Sequence, residues 1–319
     1  MSYILLLVGL ALLIKGADYF VEGASSIARS LNVSPLLIGL TIVAFGTSSP
    51  EATVSIIAAL EENAGVALGN VVGSNIFNIT LVVGITALLN PLKVESETIR
   101  KEIPYTLLAS TVLFVLISDI SLQALDANFI TRSDGFILLL FFAIFLYYIF
   151  EVARHSRDKV KEESADTPKS SSKVKNTVFT IGGLAAIIFG GDIVVDNATT
   201  IAFSFGMSET LVGLTIVAIG TSLPELITSI TAAIKKESEI ALGNIVGSNI
   251  FNILFVLGAA SVVSPLAVDS KIFIDVLLMI IITVVLLVFS RTGFRIGKRE
   301  GVFLIISYIV YMAYILMRN

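Results

Sequence analysis

Two glutamates stand alone in apolar surroundings, and the residues around them occur twice. Residues 37–60 read LIGLTIVAFGTSSPEATVSIIAAL and residues 211–234 read LVGLTIVAIGTSLPELITSITAAI, so GTSxPE recurs with Glu51 and Glu225 174 positions apart. A second pair, ALGNVVGSNIFNI at 67–79 and ALGNIVGSNIFNI at 241–253, keeps the same offset. No Lys or Arg lies within 37–60 or 211–234, so the usual partner of a buried acid is missing. An ionisable group in such a segment is costly to place and marks a functional site by default.

The neighbours of both acids supply oxygen. Residues three and four apart share a helix face, which puts Thr47, Ser48 and Ser55 near Glu51, and Thr221, Ser222 and Ser229 near Glu225. Ser74 and Asn78 form an i, i+4 pair, as do Ser248 and Asn252. Calcium takes six to eight oxygen ligands in irregular geometry, whereas softer metals want His or Cys. The single histidine, His155, lies far from both motifs, and there is no cysteine. Two carboxylates would neutralise one Ca²⁺ or about two Na⁺, and competition for one site is the simplest basis for exchange. Ser55 and Ser229 either ligate or bond to their own helix. Asn70, Asn75, Asn244 and Asn249 read as caps or helix bridges. The spacings Gly69 to Gly73 and Gly243 to Gly247 read as close helix packing.

The elements that carry these groups are interrupted helices. Pro50 and Pro224 each remove an amide donor and block the carbonyl four residues back, at Gly46 and Gly220. Carbonyls around Ala44 to Thr47 and Ala218 to Thr221 are expected to lack helical partners, which a bilayer tolerates only where protein, water or an ion satisfies them.

Composition places the chain in a membrane. Of 319 residues 55% are hydrophobic and 14% charged, against about 25% charged in soluble domains. The absence of cysteine excludes disulfides, zinc fingers and thiol catalysis. Apolar runs of about 20 residues, enough to cross hydrocarbon, occur at 2–23, 34–60, 66–90, 103–119, 135–153, 176–203, 209–234, 240–264, 272–290 and 301–317. The expected fold is therefore an all-α polytopic membrane protein with ten transmembrane helices. The first run lacks a basic leader and a small-residue cleavage site, and reads as a retained span.

The polar stretch 156–175 separates two repeats, 1–155 and 176–319, of five spans each. Five is odd, so equivalent halves must enter the membrane in opposite orientations. Loop charge agrees: with the N-terminus outside, 17 of 21 Lys and Arg fall on the inner side, which the positive-inside rule favours. Both termini are expected outside and the linker in the cytoplasm. Inverted repeats with broken helices are the signature of a secondary transporter with a midplane site. Asp18 and Asp192, with Glu22 and Asp196, share the 174 offset near the ends of spans one and six. They either draw cations inward or sit at the interface, and the interface is the favoured reading.

GTSSPE with GSNIFNI, repeated as GTSLPE with GSNIFNI, resembles the alpha-1 and alpha-2 repeats of the calcium/cation antiporter superfamily, in its prokaryotic sodium/calcium exchanger branch. The resemblance implies a bundle of helices two, three, seven and eight holding one Ca²⁺ or several Na⁺, with helices one and six sliding across it. Carried over by position, the implied ligands are Glu51, Glu225, Thr47, Ser48, Thr221, Ser222, Ser74, Ser248, Asn78 and Asn252, with the carbonyls of Ala44 and Ala218. Potassium-dependent members are expected to carry Asp at the position of Asn252, and the proton/calcium branch a GNxxE-type repeat. Sodium-coupled Ca²⁺ antiport across the cell membrane is the leading expectation, with Ca²⁺/H⁺ antiport as the alternative. A channel is disfavoured because a pore needs a ring of equivalent subunits, and an enzyme because no nucleophile, base and oxyanion donor set appears. The expected partners are Ca²⁺ and Na⁺ as substrates and the lipid bilayer, without cofactor or nucleic acid.

Overall fold

A computed structural model describes residues 1–124, 126–163, 173–206 and 218–318. Residues 164–172 of the linker and 211–217 of the second GTSxPE segment lie outside the described residues. Almost everything described is helical. The main helices are α1 (Ser2–Leu31), α2 (Pro35–Thr47), α3 (Ser49–Leu60), α4 (Ala64–Leu89), α5 (Glu102–Leu116), α6 (Arg132–Glu163), α7 (Lys173–Ser204), α8 (Leu223–Ile234), α9 (Ser238–Val263), α10 (Ser270–Arg291) and α11 (Lys298–Arg318).

Seven of these, α1, α4, α6, α7, α9, α10 and α11, are long and apolar enough to cross a membrane. The pair α2 and α3 makes an eighth if it is one span bent by 48°. The two remaining runs differ from a full-length span. The run at 103–119 becomes α5, of 15 residues, and the described part of 209–234 contains α8, of 12 residues. α4 and α9 are the most enclosed, whereas the outer helices turn apolar side chains outward, as lipid-facing surfaces do.

The first and sixth apolar runs pack antiparallel. A Cβ added at Gly9 would lie 2.9 Å from the Gly190 carbonyl, and one at Gly16 2.9 Å from the Gly183 carbonyl. Only glycine permits backbones this close, the device by which membrane helices associate without a hydrophobic driving force. Short antiparallel ladders tie the loops: β1 (Leu92–Lys93) pairs with β4 (Arg295–Ile296), and β2 (Phe129–Ile130) with β3 (Leu266–Ala267). Each ladder joins a segment from the first half of the sequence to one from the second.

Candidate ion-binding site

Each glutamate is placed by a broken helix. Between α2 and α3, Ser48 takes φ −84° and ψ 8°, with Pro50 in the first turn of α3 where its missing amide costs nothing. Ser222 before α8 repeats this at φ −92° and ψ 7°, with Pro224 following. Glu51 and Glu225 therefore sit in the first turns of α3 and α8, where the helix dipole favours negative charge. Both acids are fully buried.

The breaks change which half each hydroxyl serves. Helical spacing places Thr47 and Ser48 beside Glu51, yet Ser48 donates to Glu225 Oε1 at 2.7 Å and Ser222 donates to Glu51 Oε1 at 3.0 Å. Thr47 donates to Asn244 Oδ1 at 3.0 Å and Thr221 to Asn70 Oδ1 at 3.2 Å. The non-helical turns at Ser48 and Ser222, two residues before each proline, take these hydroxyls off the helix face, so the i, i+4 expectation fails there. Ser248 lies 3.4 Å from Glu225 Oε1, and Ser74 is 2.9 Å from the Ser222 hydroxyl. The Ala44 carbonyl also departs from expectation. It keeps a helical partner, the Ser48 amide at 3.0 Å. Ala218 opens the short helix Ala218–Gly220.

The asparagines read as bridges do bridge. Asn70 Nδ2 donates to Ser55 Oγ at 2.9 Å and to the Glu51 carbonyl at 3.2 Å, and Asn244 Nδ2 donates to Ser229 Oγ at 3.0 Å and to the Glu225 carbonyl at 3.4 Å. Ser55 and Ser229 thus accept from a neighbouring helix. Asn78 and Asn252 lie in π-helical turns, Asn78–Val82 and Phe251–Val256, a local widening frequent at functional sites. Gly243 and Gly247 pack closely, since an added Cβ would meet the Leu36 and Leu40 carbonyls at 2.6 and 2.7 Å. Gly69 and Gly73 show no such contact among the described residues. At the edge, Asp18 pairs with Lys235 at 2.7 Å and Glu22 with Lys175 at 3.6 Å, while Asp192 and Asp196 are exposed.

One feature decides the chemistry of this crossing. Glu51 Oε2, Glu225 Oε2, Asn78 Oδ1 and Asn252 Oδ1 are buried and have no hydrogen-bond partner. Nearly all buried polar groups are satisfied in folded proteins, and an unpaired one is costly. Connectivity draws these four together. Glu51 reaches Ser74 through Ser222, Asn78 follows Ser74 by one turn, and Ser248, bonded to Glu225, precedes Asn252 by one turn. Among the described residues no Lys or Arg pairs with either acid. No cluster of three or more His, Cys, Asp or Glu occurs there either, so the donor set is two carboxylates and neutral oxygens. Thr228 adds a buried, unpartnered hydroxyl three residues beyond Glu225. The repeat hides it, because its counterpart is Val54.

The model of the sodium/calcium exchanger protein family matches residues 1–151 and 175–317. The chain belongs to that family. Sodium/calcium exchanger MaX1 of Methanosarcina acetivorans is 35% identical, with 98% of this chain and 97% of that protein covered. Inner membrane protein YrbG of Escherichia coli is 39% identical, with 97% and 95% covered. A solved structure of the sodium-calcium exchanger NCX_Mj, soaked with Na⁺ and Sr²⁺, superposes with a TM-score of 0.83 at 33% identity, covering 98% of both chains. The family is one of membrane antiporters, and an enzymatic role has no support in it.

Proposed function

We propose that this chain is a secondary antiporter exchanging Ca²⁺ for Na⁺ across the cell membrane by alternating access. The observation that carries the reading is the set of four buried, unpartnered oxygens, two of them carboxylate, from both halves of the chain. Oxygens of one polarity without donors suit a hard cation, and the charge of two glutamates suits one Ca²⁺ or about two Na⁺. Glu51, Glu225, Thr47, Ser48, Thr221, Ser222, Ser74, Ser248, Asn78 and Asn252 are the proposed ligands, with the carbonyls of Ala44 and Ala218 as weaker members of the set. The names of MaX1 and NCX_Mj support sodium as the counter-ion.

The proposed architecture is ten spans in two inverted repeats, with both termini outside and the linker in the cytoplasm. Antiparallel packing of α1 on α7, whose glycines recur at the 174 offset, supports the inversion. The same close, glycine-lined contact suits the two helices to move together over the site as alternate access requires.

Flux of ⁴⁵Ca²⁺ into proteoliposomes tests the coupling. An outward-directed Na⁺ gradient at equal pH is expected to drive uptake, and a pH gradient without Na⁺ is not. Uptake driven by the pH gradient alone would establish proton coupling on the same fold. Topology has its own test in a chain without cysteine. Single cysteines at Ser171 and Glu62 are expected to react with an impermeant thiol reagent from opposite sides, and labelling from one side would sink the ten-span arrangement.

A further inference from the structure

An asparagine amide can present either its oxygen or its NH₂ to a site, and only the oxygen can bind a cation. Asn78 and Asn252 are both fully buried, so their orientation depends on the protein groups around them. Each has its NH₂ engaged by an asparagine of the opposite half. Asn78 Nδ2 donates to Asn249 Oδ1 at 3.3 Å, and Asn252 Nδ2 donates to Asn75 Oδ1 at 3.3 Å. Asn75 is itself held, donating its Nδ2 to the Asn249 carbonyl at 3.3 Å. Asn75 and Asn249 are 0% and 1% exposed.

We infer that Asn75 and Asn249 are positioning residues, each fixing the amide of Asn252 or Asn78 in the opposite half so that its oxygen and not its nitrogen faces the cation. The inference rests on the cation-binding reading above and assigns a task to the third residue of each GSN, which is separate from ligation. Turning Asn78 over would bring its oxygen against Asn249 Oδ1, acceptor to acceptor, and aim an NH₂ at the carboxylate site. The unpartnered Oδ1 atoms of Asn78 and Asn252 are what this locking leaves free. Because the locks cross between halves, the ligand set of one repeat is oriented by the other.

Equilibrium ⁴⁵Ca²⁺ binding to the purified full chain tests this without reference to the counter-ion. Asn249→Ala is expected to weaken binding about tenfold, the worth of one lost buried hydrogen bond. Asn78→Ala is expected to weaken it at least as much. The double variant should bind no more weakly than Asn78→Ala alone, because Asn249 acts only through Asn78. Losses that add in the double variant, or unchanged binding in Asn249→Ala, would overturn the inference, since a packing role predicts additivity. If Asn249→Ala does not fold, Asn75→Ala against Asn252→Ala asks the same question with the same two outcomes. Should the unmodified chain fail to bind Ca²⁺, the cation-binding reading falls and takes this inference with it. Normal binding by the unmodified chain and by Asn249→Ala sinks the positioning role alone.

Discussion

The centre of the molecule and the ends of α1 and α7 follow different rules. At the centre, most hydroxyl and amide bonds have a counterpart 174 residues away: Ser48 to Glu225 with Ser222 to Glu51, Thr47 to Asn244 with Thr221 to Asn70. At the ends the correspondence stops. Lys235 bonds Asp18, and Glu237 takes a hydrogen bond from Ser25 at 2.6 Å and pairs with Arg29 at 3.6 Å. The equivalent positions are Glu61 with Asp192, Asn63 with Thr199, and Asn63 with Phe203. One end of the helix pair carries an ion pair, and the equivalent positions in the other half are both acidic. α1 accordingly packs along α8, whereas α7 makes no comparable contact with α3. The duplicated motifs keep similar bonds at the centre, and the two sequences diverge at the ends.

The largest effect should come from removing charge at the symmetric centre. Glu51→Gln and Glu225→Gln each keep volume and halve the formal charge of the site. Losing one partner of a buried, hydrogen-bonded charged contact costs roughly 2–5 kcal/mol, so Ca²⁺ transport should fall by roughly thirtyfold or more in both. The comparison sharpens if the two losses agree within a few-fold. A folded Glu225→Gln protein with unchanged ⁴⁵Ca²⁺ flux would refute the site.

A smaller change should come from breaking the symmetry on purpose. Asn252→Asp adds a third charge, which can bind a further monovalent cation or take up a proton when desolvated. An amide does neither. Unmodified protein should therefore need no potassium, and Asn252→Asp should gain potassium or pH sensitivity, whereas Asn78→Ala should only weaken Ca²⁺ binding. Flux in choline medium with and without KCl reads this out. A strict potassium requirement in the unmodified protein would place cation recognition elsewhere.

Much of the centre was legible in the sequence because chemistry and spacing are local. Glu51 and Glu225 are charges in apolar runs, and Pro50 and Pro224 mark the breaks. Which half a hydroxyl serves was not legible. Helix spacing assigned Ser48 to Glu51, while the turn at Ser48 and the crossing of the two halves send it to Glu225. The π-helical turns at Asn78 and Asn252 also escaped, since a widened turn has no composition signal of its own. The pairing of Asp18 is not legible in the sequence because its partner, Lys235, is 217 residues away, and only the fold brings them together.

The weakest expected effect belongs to that pair, and it tests the other side of the comparison. Lys235 and Asp18 are partly exposed, with side chains 28% and 41% accessible, so the bridge is worth about 0.5–1 kcal/mol. That amounts to roughly a two- to fivefold change in the ratio of two conformers. Val21 is buried in α1 and lies three residues after Asp18 and four before Ser25, on the face that meets the 235–237 turn. A single cysteine there should react a few-fold faster with a thiol reagent when Lys235→Gln is added. Exchanging the charges, with Asp18→Lys and Lys235→Asp together, should restore the slow rate, because attraction and not residue identity holds this end. The converse change, Glu61→Lys, puts a base at the position equivalent to Lys235 and should favour closure of the other end, again raising the reactivity at Val21. If labelling ignores all three changes, the ion pairs only decorate the ends, and the closure of this side must come from the glycine-lined packing of α1 on α7.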